Sequence, residues 1–473
     1  MFLTPSSSDA STTSGHRLPL ATYHGDNART GYSTDSSITV SNARALRQRW
    51  SINVRASLSD QPVVDAGVVY WGDWKGDMHA TTVSGRPLWS TFLGTAPKPA
   101  ACPYHLATLG IVSSPTVGIT HGQHLVWVGG GAGQVVALNA STGDIVWSTR
   151  LGTLPDHATW ASPLLYNGSI YVGVASWNDC PPASGGFFRL NANTGAIQAV
   201  SHLGQSSRCI GPGVWSSASV DPTTNSVYLT TSNAVLRSNP STTCQVPEQD
   251  AVLKLNAATL ATESVWEVPE SQQVSDSDFG ASPMLFRATI AGVSRQLVGA
   301  ANKNGIYYAF DRTDLAAGPV WSYTAEAASL AQAAGSSTDA CVDVNTISSS
   351  AWAGPGSPVM VAGLAQKGRS CIGTLAALNA STGQAQWLTP LQGSIEGAVT
   401  EVPGVVAVGA GPTVDLVSSS TGQILFSYAE PPKRPPKGVV YGAPAGEFWA
   451  PPTIAGNTLY VANQDGSLRA FSP

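Results

Sequence analysis

The architecture follows from Ala137–Ser148, "ALNASTGDIVWS", because this stretch returns almost unchanged as Ala377–Leu388, "ALNASTGQAQWL". Each copy reads as an apolar run, an Asn-x-x-Thr-Gly turn and a second run that carries Trp. Asn provides local side-chain hydrogen bonds and Gly tolerates a positive φ, so the turn joins two strands. Weaker copies are "TTVSGRPLWS" (81–90), "RLNANTGAIQAV" (189–200), "KLNAATLATESVWEV" (254–268), "AFDRTDLAAGPVWSY" (309–323) and "LVSSSTGQILFSY" (416–428).

A second hairpin precedes each copy, as in "SPLLYNGSIYVGVAS" (162–176). One unit therefore holds four strands in about 40–65 residues, which is typical of a propeller blade. Seven units are complete, and an eighth begins near Pro451 but stops at "LRAFSP", before its outer strand. The missing strand resembles "LRQRWSINV" around Trp50. The sequence predicts an all-β fold, an eight-bladed β-propeller over residues 36–473 whose last blade is closed by the N-terminal strand.

Composition narrows the class of partner. Of 473 residues only 11% are charged, the net charge is −5, and 48 Gly, 32 Pro and 14 Trp are present. No basic stripe indicates nucleic acid, and no apolar run is long enough for a membrane span. Residues 1–35 lack the pattern of a signal peptide and are read as a flexible polar leader. The low-charge, Thr-, Ser-, Gly- and Trp-rich composition favours a secreted, periplasmic or cell-surface protein.

The cysteine pattern favours disulfides over a metal site. No two of the six cysteines form a Cys-x-x-Cys pair, which makes zinc binding improbable. An even count at wide spacing fits three disulfides in an oxidising compartment. Sequential pairing is the prediction, and buried free thiols are the alternative. The predicted pairs are Cys102–Cys180, Cys209–Cys244 and Cys341–Cys371.

The recurrent tryptophans have a structural interpretation. They occupy one repeat position, so we expect them to pack between neighbouring blades rather than to bind a cofactor. They are Trp89, Trp147, Trp266, Trp321 and Trp387.

Candidate ligand-binding residues gather on one predicted face. Strand order places the turns between second and third strands on the same face as the interblade connections. Aromatic planes there could stack a flat ligand, lysine could hold its oxygens, and Asn or Asp could coordinate calcium. The alternative for each Asn or Asp is turn chemistry alone. The turns carry Lys75, Asn178, Asp179, Asn233 and Lys303, and the connections carry Trp160, Trp215, Asp276, Asp278 and Trp449.

Three segments resemble a known family. "GVWSSASVDPTTNSVYLTTSN" (213–233), "DSDFGASPMLF" (276–286) and "NKNGIYYAFDRTD" (302–314), together with the repeat, are similar to the pyrroloquinoline quinone (PQQ) quinoprotein dehydrogenases. The nearest branch is the polyvinyl-alcohol-dehydrogenase-like proteins. The resemblance implies PQQ- and calcium-dependent oxidation of a small or polymeric alcohol. It also implies a separate electron acceptor, because no Cys-x-x-Cys-His haem motif is present.

The resemblance also implies roles for individual residues. Lys303 matches the family's cation at the quinone oxygens, and Trp215 lies near the tryptophan that supports the PQQ plane. Asn233 matches a calcium ligand, and Asp250 is the nearest counterpart of the catalytic base and a further metal ligand. Asn178 or Asp179 falls where the family has a glutamate ligand. Trp160, Trp449 and Lys75 complete the predicted cofactor-binding set.

Two departures from the family support a different reading. The calcium-binding glutamate is not evident, and the adjacent Cys-Cys pair found over PQQ in many members is absent, since "NDCPP" offers only Cys180. The alternative hypothesis is a non-catalytic PQQ-like propeller that binds a protein or a glycan.

Overall fold

The computed structural model describes residues 21–100, 102, 108–177, 179–274, 276–324, 347–367, 370–431 and 446–473. Within these ranges, eight sheets each contain a four-stranded antiparallel meander, which confirms the predicted all-β propeller. In each blade the inner strands are largely buried, while the outermost strand exposes about every second side chain. No helix among the described residues is long and apolar enough to cross a membrane.

The strands are numbered along the chain and given for each blade from the inner to the outer strand. Blades 1 to 4 contain β2 (Val63–Asp65), β3 (Val68–Gly72), β4 (Asp77–Thr82) and β5 (Pro87–Phe92); β8 (Thr116–Thr120), β9 (Gln123–Gly130), β10 (Gln134–Asn139) and β11 (Ile145–Arg150); β13 (Leu164–Tyr166), β14 (Ser169–Ser176), β15 (Gly186–Asn191) and β16 (Ile197–Ser201); β18 (Ser219–Asp221), β19 (Ser226–Thr230), β22 (Ala251–Asn256) and β23 (Thr262–Glu267).

Blades 5 to 8 contain β24 (Met284–Ile290), β25 (Val293–Ala301), β26 (Ile306–Asp311) and β27 (Pro319–Thr324); β28 (Ala351–Trp352), β29 (Val359–Lys367), β30 (Ser370–Leu378) and β31 (Ala385–Pro390); β32 (Thr400–Val402), β33 (Val405–Ala410), β34 (Thr413–Ser418) and β35 (Ile424–Ala429); β36 (Thr453–Ala455), β37 (Thr458–Ala462), β38 (Ser467–Ser472) and β1 (Arg47–Asn53). Short strands outside the meanders are β6 (Ala96–Pro97), β7 (Thr108–Leu109), β12 (His157–Ala158), β17 (Cys209–Ile210), β20 (Val235–Leu236) and β21 (Asn239–Thr243), and the 3₁₀ turns are Ala43–Ala45, Glu270–Gln272 and Leu315–Ala317.

The N-terminal strand completes the last blade. β1 pairs antiparallel with β38, with Trp50 opposite Ala470. The two ends of the propeller chain are thereby joined in one sheet, so neither strand is left as an open edge.

The repeat motif joins each blade to the next. Trp147 donates its indole N–H to the Ala192 carbonyl at 3.0 Å, in the Asn-x-x-Thr-Gly turn of the following blade. The same turn has Gly195 at φ +70°, where a Cβ would lie 2.5 Å from the Trp147 ring. Glycine is therefore required both by the turn and by the tryptophan, and the predicted packing between blades is confirmed. Equivalent bonds run from Trp89 to Ala140, from Trp321 to Ala380 and from Trp387 to Ser419.

The end of the polar leader crosses the centre of the propeller. Residues 21–37, here named the N-terminal strap, form hydrogen bonds to the inner strands or inner turn of blades 2 to 8. Because these seven partners surround the axis, the strap lies in the axial channel. Its partners are Val117, Leu165, Val220, Leu285, Trp352, Glu401 and Gly456.

Arg29 anchors the strap. It is fully buried, and its guanidinium donates to the carbonyls of Ala218 at 2.8 Å and Tyr23 at 2.6 Å. The strap therefore owes its order to polar contacts rather than to an apolar face.

Serine hydroxyls tie the interblade connections together. The backbone N–H of Ser162 donates to Ser217 Oγ at 2.8 Å, and that of Ser217 donates to Ser282 Oγ at 2.9 Å. Each serine stands shortly after a residue of the predicted binding face, so these bonds fix the positions of Trp160 and Trp215.

Candidate functional site

Lys303 does not extend into solvent from its turn. Its ammonium donates to Asp276 Oδ2 at 2.8 Å and to Asp278 Oδ2 at 3.0 Å, and it lies 5.2 Å from the centre of the Trp215 ring. The turn is held by Asn302, whose side-chain oxygen accepts the Asn304 N–H at 2.9 Å. Lys303 is thus fixed by two carboxylates and an aromatic face.

The electrostatics of this cluster are strongly coupled. Burial raises the pKa of Asp278 above the usual carboxyl range, although the Lys303 ammonium opposes this change. Burial alone would lower the pKa of Lys303, but Asp278 and Asp276 outweigh it and raise that pKa. Lys303 therefore stays charged. Asp276 differs from Asp278 in being 46% exposed, against 4%.

A third carboxylate joins the pair. Oxygens of Asp179, Asp276 and Asp278 all lie within 4.8 Å of one another. Asp179 is placed by the turn after β14, where its backbone N–H donates to Ser176 Oγ at 3.1 Å. Three carboxylates against one ammonium leave two negative charges uncompensated when all are ionised. Such a set of hard oxygen donors suits calcium or another oxygen-preferring cation.

Two tryptophans line a small cavity beside the carboxylates. This indole cavity, of about 150 Å³, is bounded by Trp160, Trp215, Asp179, Asp278 and Lys303 among others. The indole nitrogen of Trp215 is buried and has no hydrogen-bond partner among the described residues. The cavity therefore combines aromatic planes, one cation and carboxylates.

Glycine allows the Trp215 ring to occupy its position. A Cβ at Gly280 would collide with that ring. The ring therefore rests directly against the backbone of the connection that carries Asp278.

A larger cavity adjoins the first. This rim cavity, of about 410 Å³, shares Ser176, Asp179 and Ser232 with the indole cavity and also includes Asn233 and Asp276. The backbone N–H of Asn233 donates to the Asp278 carboxylate at 2.8 Å.

Of the eight predicted site residues, the structure brings five together. The other three, Lys75, Trp449 and Asp250, line neither cavity. The residues that meet around the carboxylates are Trp160, Asp179, Trp215, Asn233 and Lys303. Lys75 instead donates to the Val54 carbonyl at 3.2 Å. Trp449 donates to Glu447 at 2.8 Å and packs with Trp160 in one apolar cluster, outside the lining of both cavities. Asn178 lies outside the described residues.

Asp250 lies behind the site. It is 1% exposed, lines neither cavity, and its carboxylate oxygens have no hydrogen-bond partner among the described residues. Burial and the negative charges of Asp278 and Asp276 raise its pKa to about 9. A carboxyl group buried in this way resists ionisation.

The acids of the interblade connections form a wider group than the sequence prediction selected. Burial raises the pKa of Glu396 to about 7; a hydrogen bond from Ser394 opposes this, Glu447 adds to it, and Lys303 opposes it. Glu396 is therefore within electrostatic reach of Lys303. Position along the chain was the one sequence signal for these acids, because Asp276, Asp278 and Glu396 all stand in interblade connections of the predicted face.

Of the predicted disulfides, Cys209–Cys244 is formed, with the two Cα atoms 5.8 Å apart. Cys102 and Cys180 are free thiols, contrary to the prediction, although they hydrogen-bond to each other. Burial and the neighbouring Cys102 raise the pKa of the Cys180 thiol to about 11. The third pair stays a prediction, because Cys341 lies outside the described residues.

Comparison with known proteins identifies relatives of the same architecture. A family model described as the glucose/ethanol/alcohol dehydrogenase β-propeller domain matches residues 188–340, and one described as outer membrane protein assembly factor BamB matches residues 84–245. The resemblance to PQQ-type propellers is therefore confirmed. A polyvinylalcohol dehydrogenase from Pseudomonas sp. is 23% identical over 232 residues. That match covers 44% of this chain and 34% of the relative's length.

Solved structures share the fold. The quinohemoprotein alcohol dehydrogenase of Comamonas testosteroni superposes with a TM-score of 0.73 at 16% identity, over 95% of this chain and 80% of that one. A europium-containing methanol dehydrogenase gives a TM-score of 0.69 at 14% identity, over 96% and 98% of the two chains.

Proposed function

We propose that this protein is a quinoprotein dehydrogenase that oxidises an alcohol with PQQ and a bound cation. The observation that carries the proposal is the position of Lys303, held between Asp276 and Asp278 against the Trp215 ring. The relatives include alcohol and methanol dehydrogenases, which supports the same reaction class.

The residues present fit both groups. A flat conjugated ring would stack on Trp215, whose buried indole N–H still lacks a partner among the described residues. Asp179 and Asp276 would hold the cation, with Asn233 beside them, which leaves the Asp278 carboxylate for the alcohol. When bound, PQQ supplies the two-electron acceptor for the hydride of the alcohol.

The cation and Lys303 are expected to share the carboxylates. A cation held by Asp276 would share that carboxylate with the Lys303 ammonium, which also donates to Asp278. Lys303 would supply a fixed positive charge to stabilise negative charge that develops on a ligand oxygen.

Asp278 is the proposed base for the alcohol proton. It lines the indole cavity, is 4% exposed, and has a pKa raised by burial toward neutrality. A base of this kind works best when its pKa is near the operating pH. Asp278 is preferred here to Asp250, the base predicted from the sequence, because Asp250 lines neither cavity.

The first experiment is a titration of the purified protein with PQQ, followed by tryptophan fluorescence, in the presence of Ca²⁺, La³⁺ or EDTA. La³⁺ is included because three carboxylates favour a highly charged cation. We expect saturable quenching that needs metal and weakens at least about tenfold in Lys303→Met. Lys254→Met is the matched control, because Lys254 pairs with Glu263 on blade 4, away from the site.

Dye reduction with a panel of alcohols then tests catalysis. Loss of turnover in Asp278→Asn with retained PQQ quenching supports the base role. Absence of quenching up to about 100 µM PQQ with either metal contradicts the proposal.

One observation favours a second candidate. The BamB family model matches residues 84–245, so a non-catalytic propeller that binds a protein or glycan predicts no PQQ binding in the same titration.

Two further properties belong to the proposal. The Cys209–Cys244 disulfide supports an extracytoplasmic location. The proposed electron acceptor is a separate protein or small molecule.

A further inference from the structure

Blade 4 carries an insertion at the edge of the site. Residues 231–250 separate β19 from β22, whereas residues 302–305 suffice to connect β25 with β26 in blade 5. The insertion folds as a hairpin of β20 and β21, and β17 of the preceding connection pairs with β20. The insertion is therefore regular β-structure rather than an irregular loop.

A small core and a disulfide hold this hairpin in place. Cys209, Ala234, Cys244 and Val246 form an apolar cluster of their own, and the Cys209–Cys244 bond joins the connection to the end of the hairpin. The Arg237 guanidinium also donates to the Cys209 carbonyl at 3.1 Å. The wall that the hairpin presents to its neighbours is thus rigid.

That wall lines the rim cavity. Pro240, Ser241 and Thr243 line the cavity together with Asp276 and with Asp179, which also lines the indole cavity. A volume of about 410 Å³ lies in the range of small-molecule sites, roughly 300–1,000 Å³. The cavity is therefore large enough for the part of a substrate that extends beyond the reacting carbon.

The chemistry of the lining selects the substrate class. Hydroxyl and amide groups of Ser176, Ser232, Asn233, Ser241 and Thr243 offer donors and acceptors. Among the described residues that line the rim cavity none is cationic, and two are carboxylates. The lining suits neutral hydroxyl groups, and in the metal-free protein its two carboxylates disfavour an anionic ligand.

We propose that the disulfide-stapled hairpin forms a subsite for the neutral, polyhydroxylated portion of the substrate, beside the reacting hydroxyl. This inference rests on the proposed dehydrogenase function, because it describes the bound molecule as a substrate. The subsite itself is defined by the rim cavity alone. The preferred substrates are then polyols or hydroxyl-rich chains rather than simple alcohols.

The test compares two substitutions on one strand. Ser241 and Thr242 are neighbours on β21, both exposed, but only Ser241 lines the rim cavity. Ser241→Phe fills the subsite, and Thr242→Phe adds the same ring outside it. Binding of sorbitol and of gluconate to the cofactor-free protein is measured by saturation-transfer NMR. The two ligands have the same carbon count and differ in charge.

We expect sorbitol to bind, and gluconate to bind at least about tenfold more weakly. Ser241→Phe should weaken sorbitol binding at least about tenfold, whereas Thr242→Phe should leave it unchanged. With PQQ and metal present, the ratio of kcat/KM for sorbitol to that for 2-propanol should fall at least about tenfold in Ser241→Phe only. Equal sorbitol binding by both variants, or equal affinity for gluconate, overturns the proposal.

Different results would refute the proposed subsite and the proposed dehydrogenase function. Sorbitol binding that depends on Ser241 in a protein that neither binds PQQ nor reduces dye supports the subsite and refutes the dehydrogenase. Turnover of 2-propanol without Ser241-dependent sorbitol binding supports the dehydrogenase and refutes the subsite.

Discussion

Replacing Glu401 by glutamine should remove a pH-dependent loss of stability. Glu401 lies on the inner strand β32, is 2% exposed, and its Oε2 has no hydrogen-bond partner among the described residues. Burial raises its pKa from 4.5 to about 8. Below about pH 4.5 the carboxyl is protonated in both folded and unfolded chains, so it imposes no penalty there.

The penalty grows between these two pKa values. The folded protein keeps the proton and the unfolded chain releases it, so each pH unit lowers the free energy of unfolding by about 1.4 kcal/mol. From pH 4.5 to about pH 8 the loss reaches at most about 5 kcal/mol, and above that it is constant. Glutamine does not titrate. It adds a pH-independent cost of about 1–3 kcal/mol for unpaired N–H groups, so the informative quantity is the slope with pH.

Urea unfolding followed by tryptophan fluorescence from about pH 5 to about pH 9 measures this slope. We expect the free energy of Glu401→Gln minus that of the wild type to rise by several kcal/mol across the range. Glu270→Gln, at an exposed carboxyl, is the control and should give a flat difference. Parallel curves for Glu401→Gln and the wild type would refute the argument that burial governs this carboxyl.

Three further substitutions test the fold and the site. Arg29→Leu leaves buried carbonyls of the strap and its partners unpaired, and should lower the free energy of unfolding by about 2–4 kcal/mol in urea. Gly280→Ala places a Cβ against Trp215 and should cost about 1–3 kcal/mol while weakening PQQ quenching. Trp147→Phe loses the indole bond to Ala192 and should cost about 1 kcal/mol, with PQQ quenching unchanged.

The blades could be predicted from the sequence because their determinants are local and repeated. The Asn-x-x-Thr-Gly turn needs a positive φ at its glycine, and Trp147 needs that same glycine in the next blade. Closure of the last blade by β1 could be predicted because Trp50 stands at the repeat position of the outer strand.

The ordered conformation of the strap could not be predicted from the sequence in the same way. Residues 21–37 are polar, and composition alone predicts flexibility for such a segment. Their order comes from hydrogen bonds to inner strands of seven blades, contacts that exist only once the ring is assembled. No periodic apolar pattern accompanies this kind of stabilisation.

The metal and base assignments depended on which acid of a connection faces the cavity. Asp250 and Asp278 are both acids near the predicted face, and both are buried. Only Asp278 contacts Lys303 and lines the indole cavity. Asp250 directly precedes β22 and Asp278 stands in the connection after β23, and spacing along the chain does not show which of the two faces the cavity.

The site lies where the chain departs from its own repeat. The turn-and-tryptophan motif that joins the blades stands on the outer strands and leaves the connections and the turns of the opposite face free to vary. The three segments that carry Asp179, Asp276 with Asp278, and Lys303 come from three different places in blades 3 to 5, yet their charged groups meet. Blade 4, which lies between them, holds the longest insertion next to the carboxylates and fixes it with the Cys209–Cys244 disulfide. A ring stabilised by recurrent contacts between blades can accept such local differences without losing its closure. For the same reason, substitutions in the hairpin should change ligand selection with little effect on unfolding, whereas substitutions in the repeat motif should do the opposite.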